Sequence, residues 1–145
     1  MIETAGETDD ADVEVQGGCA CGAVRFVIRG TPLRAGLCHC LTCRKAHAAA
    51  FNPFVVYLRA QVDVRGKLEC WRSSPSYERQ FCPACGSRVL GGDVGSAEIE
   101  VSLGSFDEVG RVVPQYESWV IRREPWLAPL DVPQNPGDRP ASDQP

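Results

Sequence analysis

Seven of the eight cysteines in this 145-residue chain fall into three knots. The first is Gly17-Gly18-Cys19-Ala20-Cys21-Gly22, the second Cys38-His39-Cys40-Leu41-Thr42-Cys43, and the third Phe81-Cys82-Pro83-Ala84-Cys85-Gly86. Thiols two or three residues apart reach one ion only if the backbone turns tightly, and the glycine after the first and third knots permits that turn. A structural zinc takes four ligands in a tetrahedron, and a C-x-C plus a C-x-x-C supply four. Cys19, Cys21, Cys82 and Cys85 are therefore the expected structural set, although spacing alone also allows the first and second knots to share an ion. Choosing the first and third leaves Cys38, Cys40 and Cys43 as three ligands with a vacancy, the pattern of a catalytic zinc whose fourth position takes water or substrate. His39 lies inside that knot and offers the alternative of a closed site with three cysteines and one histidine.

Around the middle knot stand further candidates. Arg44 and Lys45 follow Cys43 directly and can either be ordinary surface charges or hold the carboxylates of an anionic ligand beside the metal. His47 is a candidate for substrate contact or proton transfer, with a satisfied or solvated histidine as the plainer reading. Cys70 stands alone between Glu69 and Trp71 and reads as a small buried apolar residue.

The elements that must carry these knots are mostly strands. Val24, Phe26 and Ile28 alternate with Arg25, Val27 and Arg29, the period of a half-buried strand. Short β-like runs recur at 54–58, 62–64, 68–70, 89–90 and 99–103, and 116–121 reads as a last strand before Pro125. The one helix expected is short, near 43–50. Many short strands between Gly and Pro turns predict an all-β sandwich or barrel-like domain. A length of 145 residues fits one domain, placed at 15–130.

Charge separates the body from its ends. Residues 1–14 hold Glu3, Glu7, Asp9, Asp10, Asp12 and Glu14 and no base, and 131–145 are polar and Pro-rich, so both are expected to be disordered tails. Between them 14 Lys and Arg face 10 Asp and Glu, a mild basic surplus that suits an anionic small molecule. It falls far short of the clustered basic stripe of a nucleic-acid binder. No apolar run is long enough to span a membrane, and the first residues lack the basic and apolar regions of a signal peptide. A cytoplasmic protein is expected, and in that reducing compartment short-spaced cysteines bind metal more often than they form disulfides.

Read together, Gly18-Cys19-Ala20-Cys21-Gly22-Ala23-Val24-Arg25-Phe26, the run from Cys38 to Lys45, and Phe81-Cys82-Pro83-Ala84-Cys85-Gly86 resemble the glutathione-dependent formaldehyde-activating family from about Gly17 to Leu127. The resemblance implies a β-tent fold with two zinc ions. It assigns Cys19, Cys21, Cys82 and Cys85 to the structural ion and Cys38, Cys40 and Cys43 to the catalytic one. It implies a carbon–sulfur lyase that joins glutathione and formaldehyde into S-hydroxymethylglutathione. Many relatives have a histidine where Glu117 stands here, and 46–52 lacks a glycine often seen after the middle knot. Two other readings remain beside the enzyme: a zinc-stapled binding module without turnover, and a metal-storage or thiol-redox protein.

Overall fold

A computed structural model describes residues 13–141. Among the described residues, ten strands and one α-helix follow in order: β1 Glu14–Gly18, β2 Arg25–Arg29, β3 Arg34–Cys38, α1 Leu41–His47, β4 Asn52–Leu58, β5 Val62–Arg65, β6 Glu69–Arg72, β7 Tyr77–Phe81, β8 Arg88–Asp93, β9 Glu98–Ser102 and β10 Glu117–Ser118. The fold is mainly β, as the strand pattern and the family resemblance require. A three-stranded sheet has the order β1-β2-β5, and a seven-stranded sheet runs β10-β3-β4-β9-β8-β7-β6. All pairings are antiparallel except that of β10 with β3.

Alternation explains how the sheets face each other. Phe26 and Ile28 of β2 are buried while Arg25, Val27 and Arg29 are not. They pack with Val24 against Val55 and Tyr57 of β4, Val89 of β8 and Ile99 and Val101 of β9, forming the core between the sheets. The opposite face of β4 presents Phe54 and Val56, which bury Tyr116 in a smaller cluster. β4 is covered on both faces and flanked by β3 and β9, so four successive apolar residues are accommodated there.

Four expectations are corrected. Cys70 is exposed rather than buried, because β6 is the sheet's edge strand and all four of its residues face solvent. The strand expected over 116–121 is only two residues long: Trp119 adopts the left-handed region at φ 57°, a 3-10 turn follows over Val120–Arg122, and Ile121 is 63% exposed. The Pro-rich stretch after 130 is packed rather than a solvated tail. Asn135 is buried, its N–H donates to the Glu117 carbonyl at 2.9 Å, and the Glu117 N–H donates to the Pro133 carbonyl at 3.0 Å. Glu14, placed with the acidic tail, opens β1 instead. The remaining acidic tail at 1–12, and the last residues at 142–145, lie outside the described residues. Among the described residues no helix is long and apolar enough to cross a membrane.

Candidate metal centres

The first and third knots meet. Cys19 and Cys21 leave the end of β1, while Cys82 and Cys85 occupy the turn between β7 and β8, and the four sulfurs lie within 4.8 Å of one another. Cys19 Sγ is 3.5 Å from Cys21 Sγ, which is 3.8 Å from Cys82 Sγ. Thiolates about 2.3 Å from a zinc have edges of about 3.8 Å, so the set fits a tetrahedral ion. No disulfide joins any of the eight cysteines. Each turn closes through glycine: the Gly22 N–H donates to the Cys19 carbonyl at 3.2 Å and the Gly86 N–H to the Cys82 carbonyl at 2.8 Å, with φ of 82° and 77°. A side chain at either position would strain the turn that aims the sulfurs. The Val24 N–H points at Cys19 Sγ at 3.2 Å, and hydrogen bonding to Ser87 holds the Cys85 thiol down at about 5. Both features favour the thiolate form that metal binding requires.

The middle knot forms a separate group. Cys38 ends β3, Cys40 caps α1 by accepting the Cys43 N–H at 3.3 Å, and Cys43 lies in the helix's first turn. Their sulfurs also lie within 4.8 Å of one another. Hydrogen bonding to Cys40 and Cys43, followed by burial, pushes the Cys38 thiol far up. Hydrogen bonds from Cys38 and Cys43 hold Cys40 down at about 2. Three sulfurs this close cannot all ionise without a counter-charge, and a divalent cation supplies one. Part of that charge comes from the protein: the Arg79 guanidinium, 6% exposed, lies 3.6 and 3.7 Å from Cys43 Sγ through its two Nη atoms. Arg79 is fixed by Ser73 Oγ at 2.8 Å and by the Tyr77 ring, 5.0 Å from its centroid.

These three thiols open on a cavity of about 310 Å³, into which Arg34, Tyr77, Arg79, Glu100, Tyr116 and Trp119 also project. The Tyr77 hydroxyl donates to Glu100 Oε2. Burial pushes the Glu100 carboxyl above the ordinary carboxylate range, against the pull of the Tyr77 hydrogen bond and the arginines around it. Tyr77, Arg79 and Glu100 escape a reading of the cysteine motifs. Tyr-Glu-Arg-Gln-Phe resembles a solvated strand, and the available signal is only its period, which sets Tyr77, Arg79 and Phe81 on one face.

The other expected site residues lie elsewhere. His39 is not a fourth ligand: it turns away from the thiols, and Nε2 donates to Glu117 Oε1 at 2.8 Å while Nδ1 is buried without a partner. Glu117, which the sequence leaves without a role, accepts from His39, Gln134 Nε2 at 2.7 Å, the Leu130 N–H at 2.9 Å and Arg123 at 3.3 Å. Burial pushes its carboxyl up, but those bonds and the Arg123 charge outweigh it and hold the group below the usual carboxylate range. Arg44 is engaged by Glu124 and by the Arg122 carbonyl at 3.2 Å, tying α1 to the turn after β10. Lys45 is exposed, and both Arg44 and Lys45 line a shallow groove apart from the thiols. His47 lines a second cavity of about 580 Å³ together with Arg88 and the Cys19 turn. Burial and the charges of Arg88 and Arg79 push His47 down to about 4, so it is neutral at pH 7.

A mainly β fold carrying one four-cysteine and one three-cysteine group defines a protein with two candidate metal centres among the described residues. A family model described as "Glutathione-dependent formaldehyde-activating enzyme" matches residues 14–122, and the chain belongs to that family. Among solved structures, a Rhodobacter sphaeroides protein determined as a structural-genomics target is similar at 22% identity and a TM-score of 0.55. That match covers 68% of this chain and 97% of that one, and it supports the fold. No curated protein matches the chain.

Proposed function

We propose that the protein is a cytoplasmic zinc-dependent carbon–sulfur lyase, acting on the adduct between glutathione or a similar thiol and formaldehyde or a related aldehyde. The observation that carries this reading is the three-thiol group opening on a cavity, with no fourth protein donor among the described residues within reach of it. A purely structural site would close its coordination with a fourth protein ligand, as Cys19, Cys21, Cys82 and Cys85 can. The family's description supports glutathione and formaldehyde as the partner molecules. Nothing in the chain's charge distribution favours nucleic acid.

Cys38, Cys40 and Cys43 would hold one zinc, and the four-cysteine group another. When bound, zinc at the three-thiol group supplies a Lewis acid that favours the thiolate of an incoming thiol and polarises a carbonyl. In the synthetic direction a carbon–sulfur bond forms, the carbonyl π bond breaks, and the thiol proton ends on the former carbonyl oxygen. Glu100 Oε2 and the Tyr77 hydroxyl bonded to it form a pair facing the cavity that can accept that proton and return it. Arg79 offsets the negative charge of the thiolates through Cys43.

The test has two measurements on protein purified under reducing conditions. Metal analysis should find about two zinc ions per chain, one for each cysteine group. Exchange NMR on a glutathione and formaldehyde mixture should show interconversion faster than the spontaneous rate, with the acceleration lost in Cys40→Ser. One zinc per chain and no acceleration would leave a zinc-stapled binding module as the better account.

A further inference from the structure

The family match ends at residue 122, but the wall of the thiol cavity does not. After Leu127 the chain returns to β10 and runs parallel to it, with Gln134 bridged to Glu117. The Val120 N–H donates to the Asn135 carbonyl at 3.1 Å and the Trp119 N–H to the Gly137 carbonyl at 2.9 Å. Trp119 Nε1 donates to Asp138 Oδ1 at 2.9 Å, so both the backbone and the indole of Trp119 are held by the returning segment. The left-handed conformation of Trp119 is costly for a residue with a side chain, and these bonds offset that cost. The consequence is positional. Asp138 and Arg139 reach the cavity that contains Cys38, Cys40 and Cys43, and the Arg139 guanidinium lies over the Tyr116 ring, 5.6 Å from its centroid.

We infer that residues 130–139 form a strap that completes the thiol cavity, with Arg139 as the specificity residue that binds a carboxylate of the substrate thiol. The inference rests on the thiol cavity being the substrate site, and it assigns to Arg139 the anion-binding task that the sequence alone gave to Arg44 and Lys45. A guanidinium stacked on an aromatic ring is pre-oriented for a carboxylate. Arg34 on the same rim donates to Glu98 through Nη1 and Nη2 at 3.1 and 2.6 Å, and Arg139 adds a second positive charge to that wall of the cavity. The ligand class is a small thiol with a carboxylate several bonds from sulfur, so that one end reaches the three cysteines while the other meets the strap.

Calorimetric titration of the zinc-loaded full chain tests this, with glutathione and its diethyl ester, which keeps the thiol and the amine but has no free carboxylate, as the two probes. Arg139→Gln should weaken glutathione binding on the order of ten-fold, the scale of one charge-assisted hydrogen bond. It should leave the ester within about two-fold, with zinc content and melting temperature unchanged. Arg139→Lys should recover part of the loss, because charge is kept and the fork is lost. Equal losses for both probes, or no loss for glutathione, would overturn the assignment, and so would failure of the wild-type protein to bind glutathione. Arg139-dependent binding without any carbon–sulfur turnover would leave the strap standing and remove the lyase reading.

Discussion

Cys82 and Cys40 differ in what their sulfurs hold together. Cys82 is buried in the turn between β7 and β8 and faces Cys21 from the far end of β1, so an ion there joins the two sheets. Structural zinc in small domains contributes roughly 10–16 kcal/mol at neutral pH, comparable to a whole domain's net stability of about 5–15 kcal/mol. Cys82→Ser should therefore abolish cooperative folding, as read by circular dichroism. Cys40→Ser should keep the spectrum and lose about one zinc, because its group joins only β3 to α1 next to it. Arg44→Ala belongs to the same scale: with Glu124 as its partner, the loss should be about 1 kcal/mol or less by urea denaturation, with glutathione affinity unchanged. The cysteines were legible because metal-ligand spacing is written locally in the chain. Arg79, Tyr77 and Glu100 were not, since strand pairing brings them to the thiols from runs without a motif.

Among the elements, the regular strands followed from apolar alternation, as in β2 and β9. β3 was hidden because Arg-Ala-Gly-Leu-Cys has little alternation, although pairing with β4 and β10 buries its centre. The end of the chain was misread for a different reason. Proline-rich polar composition describes a segment that makes no core, but this one is held by hydrogen bonds to β10 rather than by apolar burial. Glu117 is the hub of that attachment, and its role appears only when His39, Leu130 and Gln134 converge on one carboxylate. Glu117→Gln places an amide donor among four donors and should cost about 2 kcal/mol at pH 7, the scale of a buried charge-assisted hydrogen bond. The folded-state pKa of Glu117 lies below its ordinary value. Its stabilisation is thus complete above the ordinary carboxylate range and is lost as pH falls through the lowered folded value. Urea midpoints of wild type and variant should differ at pH 7 and converge in acid. A gap that stays constant with pH would mean that the Glu117 charge does not hold the strap.

At the scale of the molecule, the two cysteine groups divide labour by where they lie in the topology. The four-cysteine group bridges the end of β1 in the small sheet to the turn between β7 and β8 in the large one, connecting residues about 60 positions apart. The three-cysteine group lies within the large sheet's own edge, where β3, β4 and β10 are already paired and α1 is capped. An ion in the first group is therefore coupled to global folding, while an ion in the second is coupled mainly to the cavity. Stepwise chelation should separate them. Mild chelator should remove about one zinc while far-UV circular dichroism and the melting transition of the core stay near their starting values. Removal of the remaining ion, with stronger chelator or mild denaturant, should coincide with loss of the β spectrum. Glutathione added beforehand should slow only the first step, because it competes for the cavity and not for the bridge between sheets. Simultaneous loss of both ions, with unfolding at the first, would mean that the two centres share one cooperative unit and that the three-thiol group is as structural as the other.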